Sequence, residues 1–316
     1  MHLMIRSGTI ANGDITWSAP SIVARGKLSP RESYGYYPDT MIEEDGRLSF
    51  TCRHYYVDES SKPHLDPAFV VATKPGDITD WQAPVNLITL PEPQMIDGHE
   101  NIPLSEGRRV LIYRTHNQVY KAGTPGNFYA FHWDGAEWSK PVDLGNSDGI
   151  NGSDKRFCAM FGPGTGIVHL MYIEDSGTLW KNELRYRTLS PPYGVSDWSS
   201  PATIAENVFT TTMGMDTSSK PARIAVVYGD QKYTPGGRWG GRQHTGELYM
   251  KWFDGKFWQS GCQLISEPGD ERAWYPSVSQ DVSGTFGVLY LKGQPNGKIF
   301  ELRFALVEPG SKTKSN

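Results

Sequence analysis

A tight turn followed by a tryptophan recurs five times along the chain. The tryptophans are Trp17, Trp81, Trp138, Trp198 and Trp258, at intervals of 64, 57, 60 and 60 residues. Each follows a short run rich in Gly, Asp or Ser, residues that favour turns. Such an even spacing indicates a chain built from repeated structural units.

Segments with the composition of short β-strands keep the same period. Each unit has an apolar strand, such as residues 48–53 or 167–173, followed by a strand of alternating polarity, such as residues 128–133. A further short strand opens each unit and the tryptophan segment ends it. Each unit is therefore predicted to be a four-stranded antiparallel sheet. The 34 Gly, 22 Pro and 12% aromatic residues agree with short strands and tight turns.

Sheets of this size that stack around a central channel make a β-propeller, because each blade buries its faces against its neighbours. Five complete strand pairs predict an all-β, five-bladed β-propeller. The last blade lacks an outer strand of its own, and we expect the N-terminal segment 17–23 to supply it and close the ring. Residues 3–6 are left over, so six blades stay an alternative. We expect residues 1–307 to form this single domain and residues 308–316 to be a flexible tail.

Two of the turn segments, residues 13–17 (GDITW) and 134–139 (DGAEWS), carry a resemblance to a known family. They resemble degenerate Asp-box repeats of the sialidase-like superfamily, also called neuraminidase or BNR repeats. This superfamily includes sialidases, other exo-glycosidases, several polysaccharide lyases and lectins. The resemblance implies propeller blades and a carbohydrate as the ligand class, and it leaves the reaction open.

In such a propeller, the ligand site lies at the channel mouth formed by the loops before each first strand and between each second and third strand. Polar and aromatic residues concentrate in these predicted segments. We expect catalysis by His99, His116, Arg114, Tyr37, Asp39, Glu100 and Asp216. We expect substrate binding by Arg53, His54, Tyr36, Arg156, Glu174, Trp239, His244, Arg272, Trp274 and Tyr275. Equivalent loops carry different residues, which favours one asymmetric pocket over the repeated sites of a lectin.

Basic and aromatic residues gathered at one mouth of a protein with a formal net charge of −4 suit an anionic sugar. β-Elimination on a uronic acid needs a cation for the carboxylate, a base for the C5 proton and an acid for the leaving oxygen. His99, His116, Arg114 and Tyr36 or Tyr37 provide these residue types. They are similar in kind to those of propeller lyases that act on polymers such as ulvan. We therefore expect a polysaccharide lyase that cleaves an acidic, uronic-acid-containing poly- or oligosaccharide.

Two other functions stay open. Glycoside hydrolysis needs a pair of carboxyl groups. Asp39, Glu100 and Asp216 are predicted to open inner strands, with Glu174 beside another, as in the arabinanase- and invertase-like glycosidases that five-bladed propellers resemble. The third alternative is a sugar-binding lectin.

The composition excludes several other classes. The 31 basic and 35 acidic residues give no basic footprint for nucleic acid. No run approaches the roughly 18 apolar residues of a membrane span. The N-terminus lacks the features of a signal peptide, so the expected location is cytoplasmic, or secreted after loss of a leader. The elimination chemistry requires no cofactor. A structural or catalytic divalent cation stays open, as does the oligomeric state.

Overall fold

The fold is that of a computed structural model, which describes residues 2–11, 14–28, 31–90, 94–117, 127–146, 157–162, 164–175, 182–216, 222–233, 242–266, 273–279, 284–293 and 300–308. By its internal contacts the chain divides into two units, residues 1–144 and 145–316. Each unit is described by itself. Within the described residues the regular elements are strands, apart from a 3-10 turn at Ser105–Gly107. The prediction of an all-β protein is confirmed.

The first unit holds two antiparallel four-stranded sheets. Its strands are β1 (Leu3–Ile5), β2 (Gly8–Ala11), β3 (Asp14–Trp17), β4 (Ser21–Ala24), β5 (Glu32–Ile42), β6 (Leu48–Val57), β7 (Pro63–Val71), β8 (Val85–Asn86), β9 (Gln94–Pro103), β10 (Arg109–Asn117), β11 (Asn127–Trp133) and β12 (Val142–Asn146). Strands β5 to β8 form the first sheet and β9 to β12 the second sheet, each in chain order. Strand β1 pairs with β4, and β2 pairs with β3. The segment 17–23 spans the end of β3 at Trp17 and the start of β4 at Ser21, and its predicted role in closing the ring stays a prediction.

The second unit repeats the arrangement. Its strands are β13 (Phe157–Gly162), β14 (Ile167–Asp175), β15 (Asn182–Leu189), β16 (Ala202–Glu206), β17 (Val208–Asp216), β18 (Arg223–Tyr233), β19 (Arg242–Phe253), β20 (Gln263–Leu264), β21 (Ala273–Ser279), β22 (Phe286–Gly293) and β23 (Phe300–Val307). Strands β13 to β16 and β17 to β20 form four-stranded sheets, and β21 to β23 form a three-stranded one. These sheets are consistent with propeller blades. The number of blades, the closure of the ring and the single domain over residues 1–307 stay predictions, and the predicted tail beyond Glu308 lies outside the described residues.

Four of the five repeated tryptophans end the turn that follows the third strand of a sheet, whereas Trp17 ends β3 and pairs with Gly8 of β2. Bridges join this position to the end of the third strand at Trp81, Trp138, Trp198 and Trp258. In one such turn Asp134 Oδ1 accepts the backbone N–H groups of Ala136 and Glu137 at 2.8 and 2.9 Å. Asp254 Oδ1 makes the same contacts two repeats later. The sequence period therefore reflects a local, hydrogen-bonded turn that recurs in each four-stranded sheet.

Apolar side chains pack between successive sheets inside each unit. In the first unit, Leu90, Ile96 and Leu111 form a core together with Tyr113, against which Leu65 packs. In the second unit, one core joins the sheets that contain β14 and β17, and another joins those that contain β18 and β22. Blade-to-blade stacking, which the sequence predicted, is thus present within each unit.

The inner strands begin earlier than the sequence predicted. Strand β5 begins at Glu32, β9 at Gln94 and β17 at Val208, each six or more residues before the expected start. Asp216 was expected to open the fourth inner strand; it ends that strand instead. Most described side chains of β17 are buried on both faces, so the alternation that marks a half-exposed strand is missing.

Candidate active site

An irregularity in β5 determines where Asp39 lies. Gly35 pairs with Arg53 and Asp39 pairs with Thr51, so the three residues between Gly35 and Asp39 lie opposite one residue of β6. Gly35 has a φ of 137°, a backbone conformation that side chains with a Cβ rarely adopt. Bulges of this kind re-aim the side chains that follow them. Here the bulge precedes a carboxylate that meets the second sheet.

Asp39 lies next to His99, which belongs to the inner strand of the second sheet. Nε2 of His99 is 4.0 Å from Oδ2 of Asp39. The His99 side chain is fully buried, whereas that of Asp39 is 23% exposed. Strand β9 packs against β5, β6 and β7, which brings together two residues that are far apart in the sequence. The structure therefore joins two of the predicted catalytic residues in one contact.

Two further polar side chains line the same faces of the two sheets. Thr51 is the strand partner of Asp39, and Asn101 follows His99 by two residues, so both side chains share a face with the predicted residues. Both are almost completely buried. We call Asp39, Thr51, His99 and Asn101 the polar seam. Sequence reasoning did not choose Thr51 or Asn101, although the spacing of two between His99 and Asn101 was a usable signal.

The two predicted arginines of this unit, Arg53 and Arg114, lie on different faces of their sheets relative to the His99–Asp39 contact. Arg53 follows Thr51 by two residues on β6, so it shares the face of the polar seam, about 7 Å further along the strand. Arg114 directly follows Tyr113, the strand partner of His99, so it lies on the opposite face of the second sheet. Glu100, next to His99, lies on that opposite face as well. Of the two buried arginines, only Arg53 is on the face that carries the His99–Asp39 contact.

An aromatic side chain continues this face beyond Arg53. Tyr55 follows Arg53 by two residues and is half-buried. The guanidinium carbon of the exposed Arg31 lies 5.1 Å from the centroid of the Tyr55 ring. Cations at this distance from an aromatic face are attracted by its quadrupole. One face of β6 thus presents a hydroxyl, a guanidinium and an aromatic ring in succession.

His54 lies on the other face of the first sheet. Its ring stacks between those of Tyr34 and Tyr56, with centroids 4.3 and 4.8 Å away. Its Nδ1 is 2.8 Å from Asn86 Oδ1 and its Nε2 is 3.0 Å from Glu32 Oε1. Burial and the hydrogen bond to Glu32 raise the pKa of Tyr34, which stays a donor. Protein oxygens occupy both ring nitrogens of His54, so this geometry gives it a structural role.

Two predicted carboxylates of the second unit form ion pairs. Asp216 is 1% exposed, and its Oδ2 lies 2.7 Å from Nη2 of Arg223. Glu174 Oε2 lies 2.7 Å from Nε of Arg185, whose Nη2 is 2.9 Å from Glu183. Asp216 also sits at the end of β17 that leads into β18, away from the predicted mouth. The sequence interpretation of Asp216 as a residue at the start of its strand was wrong for the reason given above.

The remaining predicted residues lie wholly or partly outside the described part of the chain. Arg156, Trp239 and Arg272 are outside it. For the others only the backbone is described: Tyr36, Tyr37, His116, His244, Trp274 and Tyr275. Tyr36 and Tyr37 belong to the bulge of β5, and His116 pairs with Met95 near the end of β10. Their roles stay predictions.

The described part of the chain shows neither a metal cluster nor a membrane-spanning helix. In that part of the chain, no group of three or more His, Cys, Asp or Glu side chains is arranged to hold a metal ion. Nor does any helix within it have the length and apolar character needed to cross a membrane.

Comparison with known proteins identifies the fold. The chain matches no protein-family model and no curated protein in sequence. It is similar to the solved structure of a polysaccharide lyase of family PL25, an ulvan lyase bound to -[GlcA(1-4)Rha3S]-, with a TM-score of 0.58 at 14% identity over 92% of this chain and 72% of that one. A protein of unknown function from Dyadobacter fermentans gives a TM-score of 0.57 at 10% identity over 90% of this chain and 81% of that one. The structure of NanB with Optactamide gives a TM-score of 0.50 at 12% identity over 93% of this chain and 61% of that one. The chain thus shares its fold with β-propeller carbohydrate-active enzymes, while membership of the sialidase-like superfamily stays a prediction.

Proposed function

We propose that the protein is a polysaccharide lyase that cleaves a uronic-acid-containing poly- or oligosaccharide by β-elimination. The observation that carries the proposal is the buried contact between His99 and Asp39, with Arg53 on the same face of the first sheet. An imidazole beside a carboxylate suits proton transfer near neutral pH. A nearby guanidinium suits a carboxylate substrate.

His99 takes the proton from C5 of the uronic acid, and the electron pair of that C–H bond forms the double bond between C4 and C5. The bond from C4 to the glycosidic oxygen breaks, and that oxygen receives a proton from an acid. Arg53 binds the carboxylate and stabilises the negative charge that develops on it in the transition state. Asp39 stabilises the imidazolium that forms. Tyr36, Tyr37 and His116, which the sequence predicted to take part in catalysis, are the candidates for this acid.

The substrate class is supported by the face of β6 beyond the polar seam. Arg53 and Tyr55 are spaced by about 7 Å along the strand, and Arg31 covers the Tyr55 ring. A guanidinium for an acidic group and an aromatic ring for the apolar face of a sugar are the contacts that an acidic saccharide needs. Likeness in fold to an ulvan lyase bound to -[GlcA(1-4)Rha3S]- agrees with this class.

Hydrolysis is the second candidate. The positions of the predicted carboxylates support hydrolysis less well than the His99–Asp39 contact supports elimination. Inverting hydrolysis needs two carboxyl groups about 6.5–9.5 Å apart across the scissile bond, and retaining hydrolysis about 5–5.5 Å. Asp216 and Glu174 are held in ion pairs with Arg223 and Arg185. Glu100 lies on the face of the second sheet opposite His99, away from Asp39. A lectin is the third candidate, and the contact between His99 and Asp39 favours an enzyme over it.

The experiment is a digestion series on uronic-acid polysaccharides and neutral glycans. The ultraviolet absorbance of a conjugated double bond and the number of new reducing ends are recorded together. Elimination predicts that the two signals rise in parallel on a uronic-acid substrate. Reducing ends without the absorbance would overturn the proposal in favour of a hydrolase, and binding without any product would favour a lectin.

A further inference from the structure

The polar seam contains two buried side chains whose polar atoms have no protein partner. Neither the amide oxygen nor the amide nitrogen of Asn101 has a hydrogen-bond partner, and neither does the hydroxyl of Thr51, as judged over the described part of the chain. Asn101 is 1% exposed and Thr51 is fully buried. A buried polar group left unsatisfied destabilises the fold, and most such groups in folded proteins are satisfied by protein or water. Something other than a protein atom is therefore expected beside them.

The contact between His99 and Asp39 in the same seam is a long one. His99 Nε2 and Asp39 Oδ2 are 4.0 Å apart, which is too long for a direct hydrogen bond. A polar contact at this separation is one that a single water molecule can bridge. Buried waters typically make two to four hydrogen bonds to otherwise unsatisfied groups, and Asn101 and Thr51 of the polar seam carry such groups in the described part of the chain.

We propose that the polar seam encloses an ordered water molecule that bridges His99 to Asp39 and is held by Asn101 and Thr51. Asn101 and Thr51 are then positioning residues, because they act on His99 through the water. The water site stands on the buried contacts alone. Its effect on His99 as a base rests on the proposed function.

The sign of a stability change distinguishes a water site from truly unsatisfied groups. Thr51→Val keeps the shape of the side chain and removes the hydroxyl. If the water is present, the variant leaves it with fewer partners, and the unfolding equilibrium constant in urea rises about tenfold. If the hydroxyl is unsatisfied, removing it stabilises the fold and the same constant falls. A fall, or no change, in Thr51→Val would overturn the water site.

Matched variants separate this effect from a general response to substitution. Thr51→Ser keeps a hydroxyl and is expected to change the unfolding constant much less than Thr51→Val. Thr211 is a second buried threonine whose hydroxyl has no partner in the described part of the chain, and it lies in the other unit. Thr211→Val measures what the loss of such a hydroxyl does outside the polar seam. Equal destabilisation by Thr51→Val and Thr211→Val would count against a specific site.

Asn101→Leu tests the sharing of one water. Because Asn101 and Thr51 hold the same molecule, the double variant is expected to lose less stability than the sum of the two single losses. Additive losses would contradict a shared water. A rise in melting temperature on adding calcium or magnesium chloride, reversed by a chelator and lost in Asn101→Leu, would assign the site to a cation and overturn the water.

The effect on His99 is read from a pH profile. In an active enzyme Asn101→Leu is expected to shift the pH dependence of kcat/KM, because it changes the hydrogen bonding of the base. A variant that only lowers the amount of folded enzyme keeps the wild-type profile. An unchanged profile would remove Asn101 as a positioning residue. If the wild-type protein shows no lyase activity at all, the proposed function fails while the stability experiments still decide the water site.

Discussion

Replacing Asp39 by asparagine tests the role of the carboxylate beside His99. In the proposed elimination His99 is neutral before the reaction and becomes an imidazolium as it takes the C5 proton. Two unit charges 4.0 Å apart attract by about 4 kcal/mol at an effective dielectric constant of about 20. Asp39 is 23% exposed, so solvent screens part of this energy. We take about half, about 2 kcal/mol, which corresponds to a loss of about thirtyfold in kcat.

The assay is the initial rate of double-bond formation on the uronic-acid polysaccharide that the wild-type enzyme cleaves best. KM is expected to change little, because the charge on His99 appears only in the transition state. Asp45→Asn is the matched control, since Asp45 is an exposed aspartate of the same unit, paired with Arg47 at 2.6 Å. It should keep the wild-type rate. A folded Asp39→Asn enzyme with an unchanged kcat would refute the assignment.

Three further outcomes follow from the same structure. Tyr55→Ala is expected to raise KM severalfold with little change in kcat, measured on oligosaccharides of increasing length, whereas an equal fall in kcat would contradict a binding role. Burial lowers the pKa of His169 to about 4, so this histidine is neutral in the folded protein while its unfolded counterpart binds a proton below about pH 6.5. Urea titrations should therefore show stability falling by up to about 3 kcal/mol as the pH drops from about 6.5 to 4, and His169→Gln should flatten this slope. Arg109 forms a largely buried ion pair with Glu43, so Arg109→Met should lower the free energy of unfolding by about 3 kcal/mol; a change below about 0.5 kcal/mol would show that the pair is unimportant.

The repeated architecture could be predicted from the sequence because its signal is local. Each tryptophan turn is held by contacts within a few residues, such as those of Asp134 with Ala136 and Glu137. Because the residues that make these contacts are close together in the sequence, the motif recurs visibly with each repeat and does not depend on contacts with distant parts of the chain. The second and third strands also show their apolar and alternating patterns directly, and they were predicted close to their observed positions.

The inner strands were harder to predict because burial on both faces removes the alternation. Strand β17 reads as a run of Thr, Met and Gly, so its start at Val208 was not apparent and Asp216 was assigned to the wrong end. The faces on which the candidate site residues lie were also not predictable from single strands. His99 and Arg114 were grouped together, yet the pairing of Tyr113 with His99 puts them on opposite faces of one sheet. That register depends on the pairing between two strands, which the sequence of either strand alone does not reveal.

The contact between His99 and Asp39 could be predicted only as a pair of residue types. Its geometry depends on the bulge in β5 and on the packing of β9 against the first sheet. Asn101 and Thr51 were overlooked for a related reason. Single polar residues inside strands are common, and only the structure shows that both are buried, Thr51 opposite Asp39 and Asn101 two residues from His99.

The most direct test of the account is the mass of the products from a defined uronic-acid oligosaccharide. Elimination adds no water, so the masses of the two fragments should sum to the mass of the parent, and His99→Ala should abolish their formation. Fragments whose summed mass exceeds the parent by one water molecule, or a His99→Ala variant that cleaves at the wild-type rate, would contradict it.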